Sequence, residues 1–214
     1  MKIYLPLKND ILDHGDANSV WTNPYVSGGG LPLFKNIGGV KCAEFSNEYL
    51  QIQTTSLITG LTNWTIQCWF YPYKNSSPTG GLYKTLISNL TPYQGSTEPS
   101  GLYIIFRSAT FQMCGNILDS NISLNKWHQI YATCDGTNIE ISYDNQSTVT
   151  IPRGSRGFSQ GLMLGNTFGG YGYGTSFEGG ITQFQLSDKY NDTKLSLRDK
   201  LIYIADNNEV WGMV

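Results

Sequence analysis

The sequence predicts an all-β fold: two antiparallel sheets packed as a β-sandwich of jelly-roll type, with one short helix near the C-terminus. Three observations carry this. Short alternating or continuous apolar runs recur through all 214 residues, each cut by clusters of Gly, Pro, Asn and Ser. About twelve such runs occur at roughly ten-residue spacing, a set that closes more readily into two packed sheets than into one open sheet. Hydrophobic residues make up 40% and aromatic residues 13% of the chain, enough to build a core and too many for a disordered chain. No repeat, charge run or Pro-rich linker divides the sequence, so residues 1–214 read as one domain, whose core needs no disulfide or metal to hold it.

The elements follow in order. Lys2 to Leu7 alternates and reads as a first strand, and residues 8–40 read as loop-rich, with Gly28-Gly29-Gly30 and Gly38-Gly39. Val40 to Phe45 and Tyr49 to Gln53 are strands around a Ser46-Asn47 turn. Trp64 to Tyr73 places Trp64, Ile66, Cys68 and Phe70 on one face and Trp69 and Tyr71 on the other, which predicts a central strand covered on both sides. Leu82 to Leu90 follows the loop KNSSPTGG, and TPYQGSTEPSG separates it from a hairpin of Leu102 to Arg107 and Phe111 to Asn116. Trp127 to Cys134 and Asn138 to Tyr143 flank Asp135-Gly136, a tight-turn signal. Thr148 to Ile151, Gly161 to Gly165 and Phe177 to Leu186 complete the set, the last two separated by the Gly- and Tyr-rich NTFGGYGYGTS. Asp192-Thr193 is a helix cap signal, with Leu197, Leu201 and Ile204 at helical spacing behind it.

Composition excludes several functions. Charged residues are 14% of the chain, against about 25% in an average protein, and the net charge is −2. Fourteen scattered Lys and Arg make no phosphate-binding surface, so no nucleic-acid partner is expected. No window of 18 apolar residues predicts a membrane span. The apolar stretch of MKIYLPLKND is too short, and too soon broken by Asn9 and Asp10, for a secretory signal, which predicts delivery into the cytosol. The six Asn-x-Ser/Thr triplets then read as a by-product of a strand- and turn-rich composition rather than as glycan sites. Cys42, Cys68, Cys114 and Cys134 form no C-x-x-C pair and sit in apolar runs; they read as small buried residues, with one disulfide between them left open.

Five stretches in register resemble the laminin-G-like branch of the concanavalin A-like lectin/glucanase superfamily: GVKCAEFSNEYLQI (39–52), WTIQCWFYP (64–72), WHQIYATCDGTNIEISYDNQ (127–146), GLMLGNT (161–167) and FEGGITQFQLSD (177–188). The third is the most specific. The opening MKIYLPLKNDILDHGDAN is similar to laminin-G-like proteins of bacteriophages and prophages, which lack secretion signals because they reach the outside on a particle. The resemblance implies a concanavalin A-like sandwich and a non-enzymatic module of a virion (tail, fibre or capsid decoration). Its implied partners are other virion proteins or further copies of itself, and host-surface glycans. The alternative is a cellular, extracellular lectin or adhesin domain, and a divergent glycoside hydrolase is a third reading. The chain departs from the family pattern where Gln183 stands in place of an acidic residue, which weakens any calcium or polar role carried over to that edge.

Candidate sites follow from residue chemistry. Glucanases of this superfamily pair carboxylates, and a retaining pair needs them about 5–5.5 Å apart. Glu140 and Asp144 lie on one face of one strand, roughly 13 Å apart at about 3.3 Å per residue, which suits solvated edge charges better. His128 reads as a packed structural imidazole. A sugar site needs exposed aromatics beside Asn, Gln or Asp. Tyr93 and Gln94 supply that mix in one loop, and Asn166, Phe168, Tyr171 and Tyr173 in the Gly-rich one, where contact with neighbouring subunits is the equal alternative. No cofactor is expected. Some relatives hold calcium at the sandwich rim; Asp13, Asp16, Asn18 and Asp119 are the loop candidates, without a D-x-D-x-D-G loop to fix a ligand set. Trp64, Trp69 and Trp127 are expected to pack in the core, while Trp21, in a loop, remains open to a functional role.

Overall fold

The computed structural model describes residues 1–22, 31–46, 48–52, 55–74, 84–89, 101–107, 110–144, 146–158, 161–166 and 176–193. Their strands are β1 Lys2–Leu5, β2 Trp21–Thr22, β3 Leu33–Ile37, β4 Val40–Phe45, β5 Leu50–Ile52, β6 Asn63–Pro72, β7 Lys84–Ser88, β8 Tyr103–Arg107, β9 Thr110–Met113, β10 Asn116–Asp119, β11 His128–Asp135, β12 Asn138–Tyr143, β13 Val149–Pro152, β14 Met163–Leu164 and β15 Gly179–Ser187. A 3-10 turn spans Thr55–Leu57. The helix expected around Leu197, Leu201 and Ile204 lies outside the described residues.

Two antiparallel sheets form a β-sandwich. The larger runs β13-β12-β11-β6-β15-β4-β3, and the smaller runs β10-β9-β8-β7-β14-β5-β2. β15 is the hub of the larger sheet. One edge pairs with β6, and the other is divided, Gly179 to Ile181 bonding β4 and Phe184 to Ser187 bonding β1. A bulge makes that division possible. Gln183 has φ +51° and is an extra residue opposite β6; its N–H leaves the ladder and donates to the Pro6 carbonyl. Phe184 is thereby turned inward, fully buried, with its ring edge-on to Trp21 at 5.6 Å.

The expected alternation of β6 holds. Trp64, Ile66, Cys68 and Phe70 enter the core, and Thr65, Gln67, Trp69 and Tyr71 face the other way. Phe70 meets Phe106 and Phe111 of the opposite sheet at 5.9 and 5.1 Å, and Trp64 meets Phe158 at 5.4 Å. Each large side chain so buried contributes about 1.5–3 kcal/mol, so these rings clamp the two sheets together. All four cysteines are buried, and none of them is in a disulfide. Burial pushes Cys114 up to about 11 and Cys42 up to about 12, which keeps both unreactive near neutrality.

Residues 8–40 are less irregular than the sequence suggests, because β2 and β3 lie within them. The β3–β4 hairpin closes through Gly38-Gly39, both at positive φ, between the paired Ile37 and Val40. Two-residue hairpin loops need that backbone, which is why two glycines stand there. Trp21, left open to function above, is core: 4% exposed, in β2, with its indole N–H donating to Ser19 Oγ.

The loop after β1 folds back and is held by one carboxylate. Asp13 Oδ1 accepts the N–H groups of Tyr4 and Gly15 at 2.8 Å, and Oδ2 accepts both the N–H and the hydroxyl of Ser19 at 2.8 and 2.7 Å. Asp13→Ala strands four donors, three of them backbone, and should lower unfolding free energy by about 3 kcal/mol. A urea midpoint measured on the pure variant checks this; a loss under about 1 kcal/mol would show that water replaces the carboxylate.

Candidate functional site

The outer face of the larger sheet carries side chains that the core does not use. Tyr71 points outward from β6, Tyr73 follows that strand, and Trp127 precedes β11; all three are partly exposed. Tyr71 packs edge-on to Tyr73 at 5.9 Å and to Trp127 at 5.4 Å. Trp127 is fixed by donation from its indole N–H to the Ile37 carbonyl at 3.0 Å. It lies across β15 at Gly180, where a Cβ would come within 2.9 Å of Cys42 Sγ and 3.2 Å of the Trp127 ring. Gly180 is thus the gap through which the indole reaches the face of β4.

Charged groups border these rings. The Tyr73 hydroxyl donates to Glu44 Oε1 at 2.9 Å, and Lys35 forms an ion pair with the same carboxylate. Burial and the Glu44 carboxylate hold the Tyr73 hydroxyl well above its ordinary value, so it remains a donor. Beyond them, Glu178 bridges the buried Lys84 at 2.6 Å and the exposed Lys74 at 2.7 Å, and this pairing lowers its carboxyl against the effect of burial. The face therefore offers aromatic planes beside acceptors and donors held in fixed positions.

The segment after β15 crosses the middle of the same face. The Thr65 hydroxyl donates to the Lys189 carbonyl, the Tyr131 hydroxyl to that of Asp192, and Gln67 Nε2 to that of Thr193. Beneath it a side-chain ladder runs across three strands, Gln129 and Gln185 each bonding Gln67. These glutamines are buried, so this stretch of the face supports structure, while the partly exposed groups lie to either side.

Trp69 and Trp127 are not core residues as expected. Both stand on the outer face, outside the cluster between the sheets, because their odd positions in the β6 and β11 alternation point away from it. Of the residues singled out for a sugar site, Tyr93, Gln94, Phe168, Tyr171 and Tyr173 lie outside the described residues. Asn166 is buried, and its carbonyl accepts from Ser88 Oγ at 2.8 Å.

Glu140 and Asp144 have separate surroundings. Glu140 faces outward in β12, whereas Asp144, at φ +46° just past that strand, turns to the sheet end. Asp144 is not the solvated edge charge expected: Oδ2 lies 2.6 Å from His128 Nδ1, and Oδ1 accepts the Gln129 N–H. His128 is buried as a packed structural imidazole, against Phe70 and Tyr143, with Nε2 2.8 Å from the Ser123 carbonyl. Burial opposes its charged form, but Asp144, the Ser123 carbonyl and Asp119 outweigh burial and raise its pKa. Both ring nitrogens face acceptors, an arrangement only the imidazolium satisfies fully.

Three of the calcium candidates accept hydrogen bonds from the chain itself. Asp13 is occupied as described, Asp16 accepts the Lys2 N–H, and Asp119 accepts that of Asn121 beside the His128 cluster. Among the described residues no three His, Cys, Asp or Glu side chains come together as a metal site.

A two-sheet antiparallel β-sandwich with aromatic residues on one outer face is the class of protein these features define. No protein-family model matches the sequence, and no curated protein matches it. Solved structures do. Domain 4 of AbnA, a GH43 extracellular arabinanase from Geobacillus stearothermophilus, in complex with arabinotriose, is similar with a TM-score of 0.53 and 12% identity over 92% of this chain and 94% of that one. The botulinum neurotoxin serotype D binding domain is similar with a TM-score of 0.59 and 14% identity over 95% of this chain and 51% of that one. The enzymatically active domain of bacteriophage CBA120 tailspike protein 2 gives 0.54 and 10% over 81% of this chain and 29% of that one. The chain thus spans about half of the toxin domain it matches. At these identities the likeness is one of fold.

Proposed function

We propose that the chain is a non-enzymatic carbohydrate-binding module that engages saccharides through the outer face of its larger sheet. The Tyr71–Tyr73–Trp127 cluster bordered by Glu44 and Lys35 carries this reading. Sugar rings present C–H faces that lie on aromatic planes and hydroxyl edges that exchange hydrogen bonds with fixed polar groups. The arabinotriose complex of AbnA domain 4 supports it, since that domain has the same fold over nearly its whole length. The separation of Glu140 from Asp144 supports a binding role over hydrolysis. We further place the module on a bacteriophage or prophage particle, as a tail, fibre or capsid decoration contacting other virion subunits. The resemblance of its opening residues and the fold shared with a phage tailspike domain favour that setting.

Calorimetry with arabinotriose, and a bacterial glycan array, test the binding reading. Trp127→Ala should weaken binding about tenfold, since one aromatic contact is worth about 0.5–1.5 kcal/mol and 1.4 kcal/mol is a factor of ten. Wild-type affinity in both Trp127→Ala and Tyr71→Ala would move the site elsewhere. No saccharide bound by the wild-type protein at about 100 μM, where even affinities of −5 to −6 kcal/mol register, would leave subunit contact as the function of the face.

A further inference from the structure

A groove of about 190 Å³ opens on the same outer face, beyond the crossing segment from the aromatic cluster. Its floor is Tyr131 and Thr133 of β11 with Glu140 and Ser142 of β12; Thr148 forms one side and Asn191 the other. Tyr131 lies four residues along β11 from Trp127, about 13 Å at 3.3 Å per residue, so this is a separate place. The groove is held in shape from beneath and from the side. The Tyr131 hydroxyl lies 2.8 Å from the Asp192 carbonyl and 3.1 Å from Asn191 Oδ1, and the Asn191 N–H donates to Thr133 Oγ1 at 2.7 Å. Tyr190, 40% exposed, precedes Asn191 on the same crossing segment.

We propose that this groove is a second saccharide site, taking a single neutral sugar ring; the proposal rests on reading this face as glycan-binding. Every described lining residue carries a side-chain oxygen and none of them is cationic. Sugar hydroxyls donate to the Glu140 carboxylate and accept from Ser142 and Thr148. An acidic sugar would bring its carboxylate against Glu140 with no cation among the described lining residues to offset the repulsion. The volume is below the roughly 300–1,000 Å³ of pockets that enclose drug-sized ligands, which matches one ring rather than a chain.

The test is an amide NMR titration of the whole chain with glucose and, as its charged counterpart, glucuronate, repeated on Ser142→Leu, which fills the groove, and on Trp127→Ala. Retention of arabinotriose binding in Ser142→Leu verifies that this variant is folded. With glucose, shifts should cluster at Thr133, Ser142 and Asn191, survive Trp127→Ala and vanish in Ser142→Leu, and glucuronate should bind at least tenfold more weakly. Glucose shifts confined to the Trp127 region, shifts that survive Ser142→Leu, or glucuronate binding equal to glucose would overturn the groove while leaving the aromatic site standing. No response to glucose or arabinotriose anywhere would remove both readings together.

Discussion

Gly179→Ala should destabilise the protein by more than about 4 kcal/mol, the largest effect of any single methyl addition argued from this structure. Gly179 has φ +148°, a backbone region essentially restricted to glycine and worth about 1–3 kcal/mol of strain in other residues. An added Cβ would sit 2.0 Å from the Tyr71 carbonyl oxygen and 3.0 Å from the Phe177 ring. The first of these neighbours is backbone and cannot rotate aside. Gly179 pairs at once with Phe45 of β4 and Pro72 of β6, so relief means parting the central strands and displacing Tyr71. Domains of this kind are stable by only about 5–15 kcal/mol, and a loss above about 4 kcal/mol is expected. Gly39→Ala is the control: φ is +82°, but a Cβ there meets nothing within 4 Å, so it should lose only about 1 kcal/mol. Urea unfolding of both variants reads the difference, and equal losses would show that backbone conformation, not the collision with Tyr71, governs Gly179.

Asp144→Asn should lower stability by about 2–3 kcal/mol at pH 6 and flatten its dependence on pH. Removing one partner of a buried pair costs about 3–5 kcal/mol, and the lower figure follows because the Asp144 side chain is 31% exposed. Asn can adopt the left-handed backbone of this position and still accept the Gln129 N–H, so the substitution isolates the charge. The pH dependence has a definite sign. His128 has its pKa raised on folding, so its contribution is complete below the ordinary value of about 6.5 and is lost as pH climbs through the folded value. Wild-type stability should therefore fall above pH 6.5, as the Ser123 carbonyl comes to face an unprotonated nitrogen. Asp119 adds to the upward shift, and the Tyr143 hydroxyl lies 2.8 Å from His128 Nδ1. Melting curves from pH 5 to 9 provide the measurement; parallel curves for the two proteins would mean that His128 is neutral throughout.

Both effects involve residues that a sequence marks only in part. The β11–β12 hairpin was legible from WHQIYATCDGTNIEISYDNQ because its alternation, its turn residues and its apolar face agree, and the Asp135 carboxylate indeed caps Thr137 and Asn138. His128 was legible as a packed residue, but its partnership with Asp144 was not. That contact depends on Asp144 leaving the strand at positive φ, which alternation over the strand does not encode. β3 was hidden because LFKNI exposes three of its five residues and so lacks the apolar pattern that reveals a strand; the signal passed over was Gly38-Gly39.

The same division applies to the candidate site. Local periodicity determined that β6 would be central, and that Trp69 and Tyr71 would share the face opposite Trp64 and Phe70, since side chains alternate every residue along a strand. That Trp127 would join Tyr71 and Tyr73 across Gly180, and that the segment after β15 would divide the face, was decided by the tertiary structure. These contacts link positions dozens of residues apart, and they depend on the order of strands in the sheet and on one bulge at Gln183. The chain's composition determined a two-sheet sandwich with aromatic residues to spare; the pairing of β15 with β6, β4 and β1 decided which of them face outward together.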